Sequence, residues 1–583
     1  MNKLYLILLL ITNISIAQNS FDLKKDFTVN ANTYGIEKIW LEDGTFFVPI
    51  NFNTPTYTLD DGTVITNNSY VVGQMSYKIL ILRYNENLDL LNYFTLNSTG
   101  SEQIMDITAD INKNIYISYS VQNNYTLNEQ PYLQNTSNNL AKMMLVRIDP
   151  VGNVNWVKTF QGRELGRSSL AIANNGEVYI GAKMAQSELI VDGIIYSNPT
   201  PHNSMDLLYR MFVGKLNLNG PGLEWINSST NTTTESFDTW AIFDQHDSKL
   251  HIDSQNNLYL RTNLRGHKAT FGSNTIQKSN SIIEWILVKY SSSGDVIWVK
   301  KPTNNSSNQD SVLCLGSAID NQDNIFIIDN TSSSGTVNYW GNQLISDKPI
   351  GTLLKLNTDG NVIWTKRPQT NPGSYNNHPN YFNNLKIFDD SVIVNGVIYG
   401  YQDYGNNQII DTNYELKWGA LEFNKYNGNL ENSYILDCSF NIYPSKLIGI
   451  DSQNRLWYNT LTAIDYSAYN YYIGNFNFSL PYGGNNSQKL VFFRSGEVTL
   501  NNKEFNKNIK LSIYPNPTTD VLNINGSELI NVQFKIFDLN GKVIKKGRIN
   551  ENKIDVQNIS SGMYSIDLIE SNVSKSTLKF IKN

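Results

Sequence analysis

The chain has 583 residues, with 46 Lys and Arg against 52 Asp and Glu, a formal charge of -6, and 12% aromatic against 17% charged residues. That balance excludes the strongly basic surface nucleic-acid binding requires, and the abundant Tyr, Asn, Ser and Thr favour strands joined by polar turns. Two cysteines, Cys314 and Cys438, are too few for a disulfide framework and read as small buried hydrophobes.

The first residues have the three parts of a signal peptide, expected over residues 1–17. Met1-Asn2-Lys3 is basic, residues 4–11 are apolar, and Ser15-Ile16-Ala17 are small where a signal peptidase reads. Cleavage between Ala17 and Gln18 is expected. The apolar run is well short of the ~20 residues that span a bilayer. No later run is longer, so the mature chain is expected to lack a transmembrane segment.

From residue 18 to about residue 500 two elements alternate. The first is a hairpin, clearest at residues 286–300 (ILVKYSSSGDVIWVK), with near-copies at 146–158 and 353–366. In each a Trp follows the turn glycine by four residues: Gly152 and Trp156, Gly294 and Trp298, Gly360 and Trp364. The loop length requires a positive φ at the glycine, which has no Cβ to oppose it. The second element is an apolar pair, an Asp- or Asn-rich turn and a strand carrying an aromatic, as in IDSQNNLYL from Ile252. Its markers are Phe46, Tyr116, Tyr179, Tyr259, Phe326, Ile393 and Trp457, spaced 63 to 80 residues apart.

Both elements occur about seven times. The series begins with the second type and ends with a shortened hairpin at residues 489–500, so each chain end holds half a unit. A ring can complete one blade from both ends and so leave no free sheet edge. The fold expected is all-β: a seven-bladed β-propeller over residues 18–500, followed by a small β-sandwich. Residues 489–500 are expected to pair with residues 40–48 in the closing blade, and the seven-blade reading fails if a structure shows the two segments apart. The pattern resembles bacterial seven-bladed propeller repeats over roughly residues 36–500, with Phe271-Gly272-Ser273-Asn274-Thr275-Ile276 matching the start of that repeat.

Residues 501–510 read as a polar linker, and residues 511–583 as a compact all-β domain with Asn540-Gly541 as a hairpin turn. The domain resembles the type A sorting domain of the Bacteroidota type IX secretion system. The resemblance rests on Tyr514-Pro515-Asn516-Pro517, on Gly562 and Tyr564 before the penultimate strand, and on a last strand ending in Lys582. It implies an immunoglobulin-like sandwich, handling by the type IX machinery, and release or attachment at the cell surface. On the residues alone, the motif opens a first strand whose prolines favour a sheet edge.

No catalytic residue, metal set or cofactor motif is apparent. The five histidines are scattered, and His246 and His251 share no definable face. Asp253, Asp320, Asp323 and Asp451 lie in turns where Asp ordinarily bonds the nearby backbone, without the D-x-D-x-D-G loop of a calcium site. Trp156, Trp225, Trp298 and Trp364 recur at one repeat position, which suits packing between blades better than stacking on sugars. A glycan or protein ligand would meet loops that differ between blades, such as residues 123–139, 229–237 and 369–382. Two functions remain open: a surface binding or adhesion module, or an exported polysaccharide hydrolase or lyase whose carboxylates converge at the channel.

Overall fold

The computed structural model describes most of residues 21–495 and 512–583, and all its regular elements are strands. The signal peptide with Ala17 and Gln18, the linker 501–510, Cys438, His246 and the turn Asn540-Gly541 lie outside the described residues. The chain divides into two compact units, residues 1–497 and 498–583.

The first unit is a β-propeller. Strand pairing gives seven successive four-stranded antiparallel meanders, over residues 39–95, 102–162, 168–228, 249–300, 312–366, 381–437, and finally 446–495 with Phe21–Asn30. The fourth is representative: Lys249–Ile252, Leu258–Leu264, Glu284–Tyr290 and Val296–Lys300. Its last two strands are the hairpin read from the sequence, with Gly294 at φ 90°. The first strand of each meander lies beside the first strands of its two neighbours, and Lys446–Ile450 of the last lies beside Ile39–Trp40 of the first.

The closing pairing differs from the expectation. Ser487–Ser495 pairs with Leu456–Leu461 on one side and with Phe21–Asn30 on the other, not with residues 40–48. Trp40 and residues 46–48 belong to the first meander and meet the last through side chains, with ring centroids of Trp40–Trp457 at 5.6 Å and Phe46–Phe492 at 5.8 Å. Phe21–Asn30 (FDLKKDFTVN) carries neither the aspartate turn nor the Trp of the repeat, which is why repeat counting misses it.

Every meander also extends its connection between strands two and three. In six it forms an added hairpin, such as Glu188–Val191 with Ile194–Ser197, Lys268–Phe271 with Asn274–Gln277, and Gly335–Tyr339 with Asn342–Ser346. In the sixth, Ser391–Asp403 and Ile409–Asn424 are themselves prolonged. These hairpins account for the long repeat. Four of them bury a side chain in one apolar cluster with the preceding meander: Leu127 with Phe94, Val191 with Trp156, Phe271 with Trp225, and Tyr339 with Trp285 and Trp298.

The core therefore lies in the seams between meanders. The two sequence markers meet there, with Tyr116–Trp156, Tyr179–Trp225, Tyr259–Trp298 and Phe326–Trp364 at 5.9 to 6.0 Å between ring centroids. Three of these Trp also reach forward. Trp225 Nε1 donates to Ser292 O at 3.0 Å, Trp298 Nε1 to Thr358 O at 3.3 Å, and Trp364 Nε1 to Tyr426 O at 3.1 Å. The indoles cover Gly294, Gly360 and Gly428 of the next hairpin turns. Buried asparagines seal the inner strands: Asn51, Asn263, Asn330 and Asn395 each accept an amide from the following meander, at Ile104, Cys314, Phe382 and Leu447.

A Cβ at Gly294 would stand 2.6 Å from the Trp225 ring, whereas one at Gly176, also at positive φ, would meet nothing within 4 Å. Gly176→Ala should therefore cost only backbone strain, about 1 kcal/mol, and Gly294→Ala about 1–2 kcal/mol more through displacement of the indole. Chemical denaturation of the two variants against the parent chain reads the difference, and equal losses would contradict the latch.

Candidate functional site

The sorting motif is assembled from both ends of the second unit. This unit is a sandwich of Ser512–Tyr514, Val521–Asn525 and Lys553–Asp555 against Val543–Arg548, Gln533–Phe537, Gly562–Glu570 and Val573–Lys582. Its core includes Leu522, Ile536, Val556, Ile566 and Leu568. Tyr514 ends the first strand rather than opening it, and residues 514–517 are exposed. The motif is held by Asn516, whose Nδ2 donates to Lys579 O at 3.0 Å and whose Oδ1 accepts Ile581 N–H at 2.8 Å. One residue past the motif, Thr518 N–H donates to Ile581 O and Asn583 N–H donates to Thr518 O, both at 2.9 Å. Pro515 and Pro517, having no N–H, leave these bonds to their neighbours.

Gly562 and Tyr564 lie within the penultimate strand, not before it. Tyr564 stacks on Phe580 at 5.5 Å and its hydroxyl donates to Ser560 O at 2.8 Å. Lys582 is buried in the last strand. Thus Tyr514–Pro517 and Lys582, 65 or more residues apart in sequence, flank one strand edge, and Asn516 joins them. Residues 512–583 match the secretion system C-terminal sorting domain family. This part of the chain is a type IX sorting domain. The sorting domain marks the chain for export to the cell surface or medium.

Further comparisons are more distant. Beta-agarase D of Zobellia galactanivorans is 37% identical over 59 residues, 10% of this chain and 12% of that enzyme, so the match spans a small part of either protein. Virginiamycin B lyase of Staphylococcus aureus is 10% identical, with 80% of this chain and 99% of that one covered at a TM-score of 0.30. PorZ, a surface component of the type IX secretion system of Porphyromonas gingivalis, is 10% identical, with 96% and 100% covered at a TM-score of 0.15. Scores this low carry no argument, and the propeller assignment stands on strand pairing.

In the propeller, the residues singled out from the sequence are occupied by their own turns and seams. Asp253 Oδ1 accepts the amides of Gln255 and Asn257, and its Oδ2 accepts Asn257 Nδ2 at 2.9 Å and Tyr259 OH at 3.1 Å. Asp320 and Asp451 are held in the same way, and Asp323 joins its turn to Ser254 of the preceding one. His251 is hydrogen-bonded to Ser317 at 2.7 Å, and Cys314 is buried with its Sγ–H donating to Gly316 O at 3.3 Å. Of the candidate loops, the described part of 123–139 is an added hairpin that buries Tyr125 and Leu127 and exposes Tyr132, while most of 229–237 and 369–382 lies outside the described residues.

Sequence reading missed two acids that burial pushes towards the neutral form. Glu102 opens the second meander, where its carboxylate accepts Tyr125 OH at 2.7 Å, Ile79 N–H at 3.1 Å and Ser98 OH, with Lys78 3.8 Å away. Burial pushes Glu102 upward and Lys78 downward, against the pull each exerts on the other. Asp329, in the fifth meander, accepts Trp285 Nε1 at 3.1 Å and Tyr339 OH. Burial raises it to about 6 despite those two bonds. The two acids sit in different meanders, each enclosed by its own donors. The sequence signals Asp329 only as an acid following four apolar residues, and it does not signal Glu102, which opens the mixed strand EQIMDITA.

Two predictions follow from these geometries. Asn516→Ala should remove about 1 kcal/mol from the sorting domain and abolish amide-exchange protection at Ile581, leaving propeller amides unchanged. Asp329 has its folded value raised, so the neutral acid is favoured by the fold. Its contribution is retained below about pH 4 and lost as pH rises to about 6, a change on the order of 3 kcal/mol. Asp329→Asn should therefore raise the melting temperature relative to the parent at pH 7 more than at pH 4. A pH-independent difference would refute the assignment.

Proposed function

We propose that the protein is a seven-bladed propeller delivered by its sorting domain to the cell surface or medium, where it serves as a non-enzymatic binding or adhesion module. The observation that carries this reading is the use of the repeated residues. The recurring Trp, Gly, Asp and aromatic side chains are consumed by blade seams and turns. The two acids raised by burial lie in separate blades rather than converging on one pocket. Closure as seven blades is supported by the succession of neighbouring first strands and by Arg494, whose guanidinium donates to Glu86 O at 3.1 Å. That bond repeats, between the last and first blades, the contact of Lys289 with Thr358 O at 3.2 Å.

Antiparallel geometry puts the turns between strands one and two, and three and four, on one face. The added hairpins and inter-blade links start from the other. Exposed apolar residues stand on both faces, Val72, Tyr132, Ile195 and Ile345 on the hairpin side and Ile111, Val151 and Tyr426 in the tight turns, so either face offers contact surface. The test uses the full-length protein on arrays of glycans and extracellular proteins, with hydrolysis and lyase assays on the same glycans. Saturable binding without turnover is expected. Turnover of any glycan would replace this reading with the enzymatic one.

A further inference from the structure

The seams are not equivalent, and the closing one is open at its tight-turn end. In the third, fourth and fifth blades Trp225, Trp298 and Trp364 stand opposite Lys215, Lys289 and Lys355 and cover the next turn. In the last blade the residue opposite Arg494 is Leu23, which has no indole to donate to the turn. The covered glycine is replaced by Leu88, at φ 61° in the first blade's hairpin turn. Asp323, whose carboxylate ties the fourth and fifth blades together through Ser254, is replaced by Gly44 at the same turn position. The Trp that covers the turn at three seams and the carboxylate that joins the turns at one are thus missing by sequence. The cation latch is kept, from Arg494 to Glu86 O.

A cleft of about 540 Å³ opens there, between the turns of the first blade and the last. Asp43, Thr45, Glu86, Asn87, Arg455 and Arg494 line it. At Gly44 the place of a side chain is taken by Glu86, whose Oε1 would lie 2.3 Å from a Cβ there. The walls are held from behind: Arg455 Nε donates to Asp451 Oδ2 at 2.7 Å, Arg494 lies over the Trp457 ring at 5.4 Å, and Asp43 pairs with Arg83 at 3.3 Å and with Lys113.

The lining holds two carboxylates and two guanidiniums, so the cleft carries no excess charge to select a cation, a phosphate or a sulfate. Its polar groups are carboxylate acceptors, guanidinium donors, and amide and hydroxyl groups that are both. A ligand matching that set presents several adjacent hydroxyls, each able to donate and accept. The volume falls within the ~300–1,000 Å³ of small-molecule sites. We propose that this cleft binds a neutral sugar residue of a polysaccharide. The inference rests on the binding-module reading and names its ligand class and site.

The test is calorimetric titration of the full-length protein with neutral hexasaccharides of glucose, galactose, mannose and xylose, and with hexagalacturonate as the charged comparison. Asn87 is exposed at the cleft mouth and Ser293 occupies the same turn position in the fourth blade. Asn87→Trp fills the cleft from outside and should weaken the best neutral ligand at least tenfold, while Ser293→Trp leaves it unchanged. Matching melting curves for both variants exclude a folding defect. Preference for hexagalacturonate, no binding of any neutral hexasaccharide, or equal affinity in Asn87→Trp and the parent overturns the cleft assignment. Binding to an arrayed glycan or protein that survives Asn87→Trp would overturn it and leave the binding-module reading standing. Failure of every arrayed ligand would remove both.

Discussion

An indole laid over a glycine turn is the contact on which the propeller depends. Gly294, Gly360 and Gly428 each adopt a positive φ, which a side chain would oppose, and each lies beneath a Trp of the preceding blade. The same residue satisfies a local constraint and a long-range one. A turn that cannot form its tight bend cannot receive the indole, and an indole without its turn leaves a buried face uncovered. Turn geometry and ring assembly are therefore coupled, in a fold whose core lies in the seams rather than within any one sheet. Fully buried aromatics such as Tyr259, Trp285 and Tyr339 contribute on the order of 2–3 kcal/mol each through burial alone.

Closure makes the first and last segments of the propeller interdependent. Phe21–Asn30 supplies the fourth strand of the last meander, and Arg494 reaches a carbonyl 408 residues away. A sheet edge that would otherwise be open to other chains is paired within the molecule, which suits an exported protein that must avoid aggregation. The closing seam lacks the Trp that covers the turns of three other seams, and the polar cleft lies beside it. Variation among repeats, rather than the repeat itself, is where a propeller of this kind acquires individuality.

The buried acids show why polar groups inside a strand core need not be catalytic. Glu102 has four partners from three separate segments, and Asp329 is bonded by two ring donors. Both are disfavoured as ions by burial, yet each ties neighbouring elements together. Such groups cost stability and gain specificity of packing, because no alternative register satisfies the same donors.

What the sequence by itself determined was the local chemistry. The Gly-to-Trp spacing, the aspartate turns and the Tyr-Pro-Asn-Pro motif each follow from short-range constraints on φ, on backbone hydrogen bonding and on proline, so their positions were legible without a fold. Even the role of the Trp series was readable, because a residue that recurs at one repeat position fills one structural hole. Only the tertiary structure decided which segment closes the ring, since Phe21–Asn30 bears no repeat signature and is chosen by edge pairing alone. Tertiary structure likewise brought Asn516 to the last strand, placed Glu102 and Asp329 in separate blades, and opened the cleft where Leu23 and Gly44 stand in place of Trp and Asp. Those outcomes depend on contacts between residues tens to hundreds of positions apart, which no spacing within a repeat can encode.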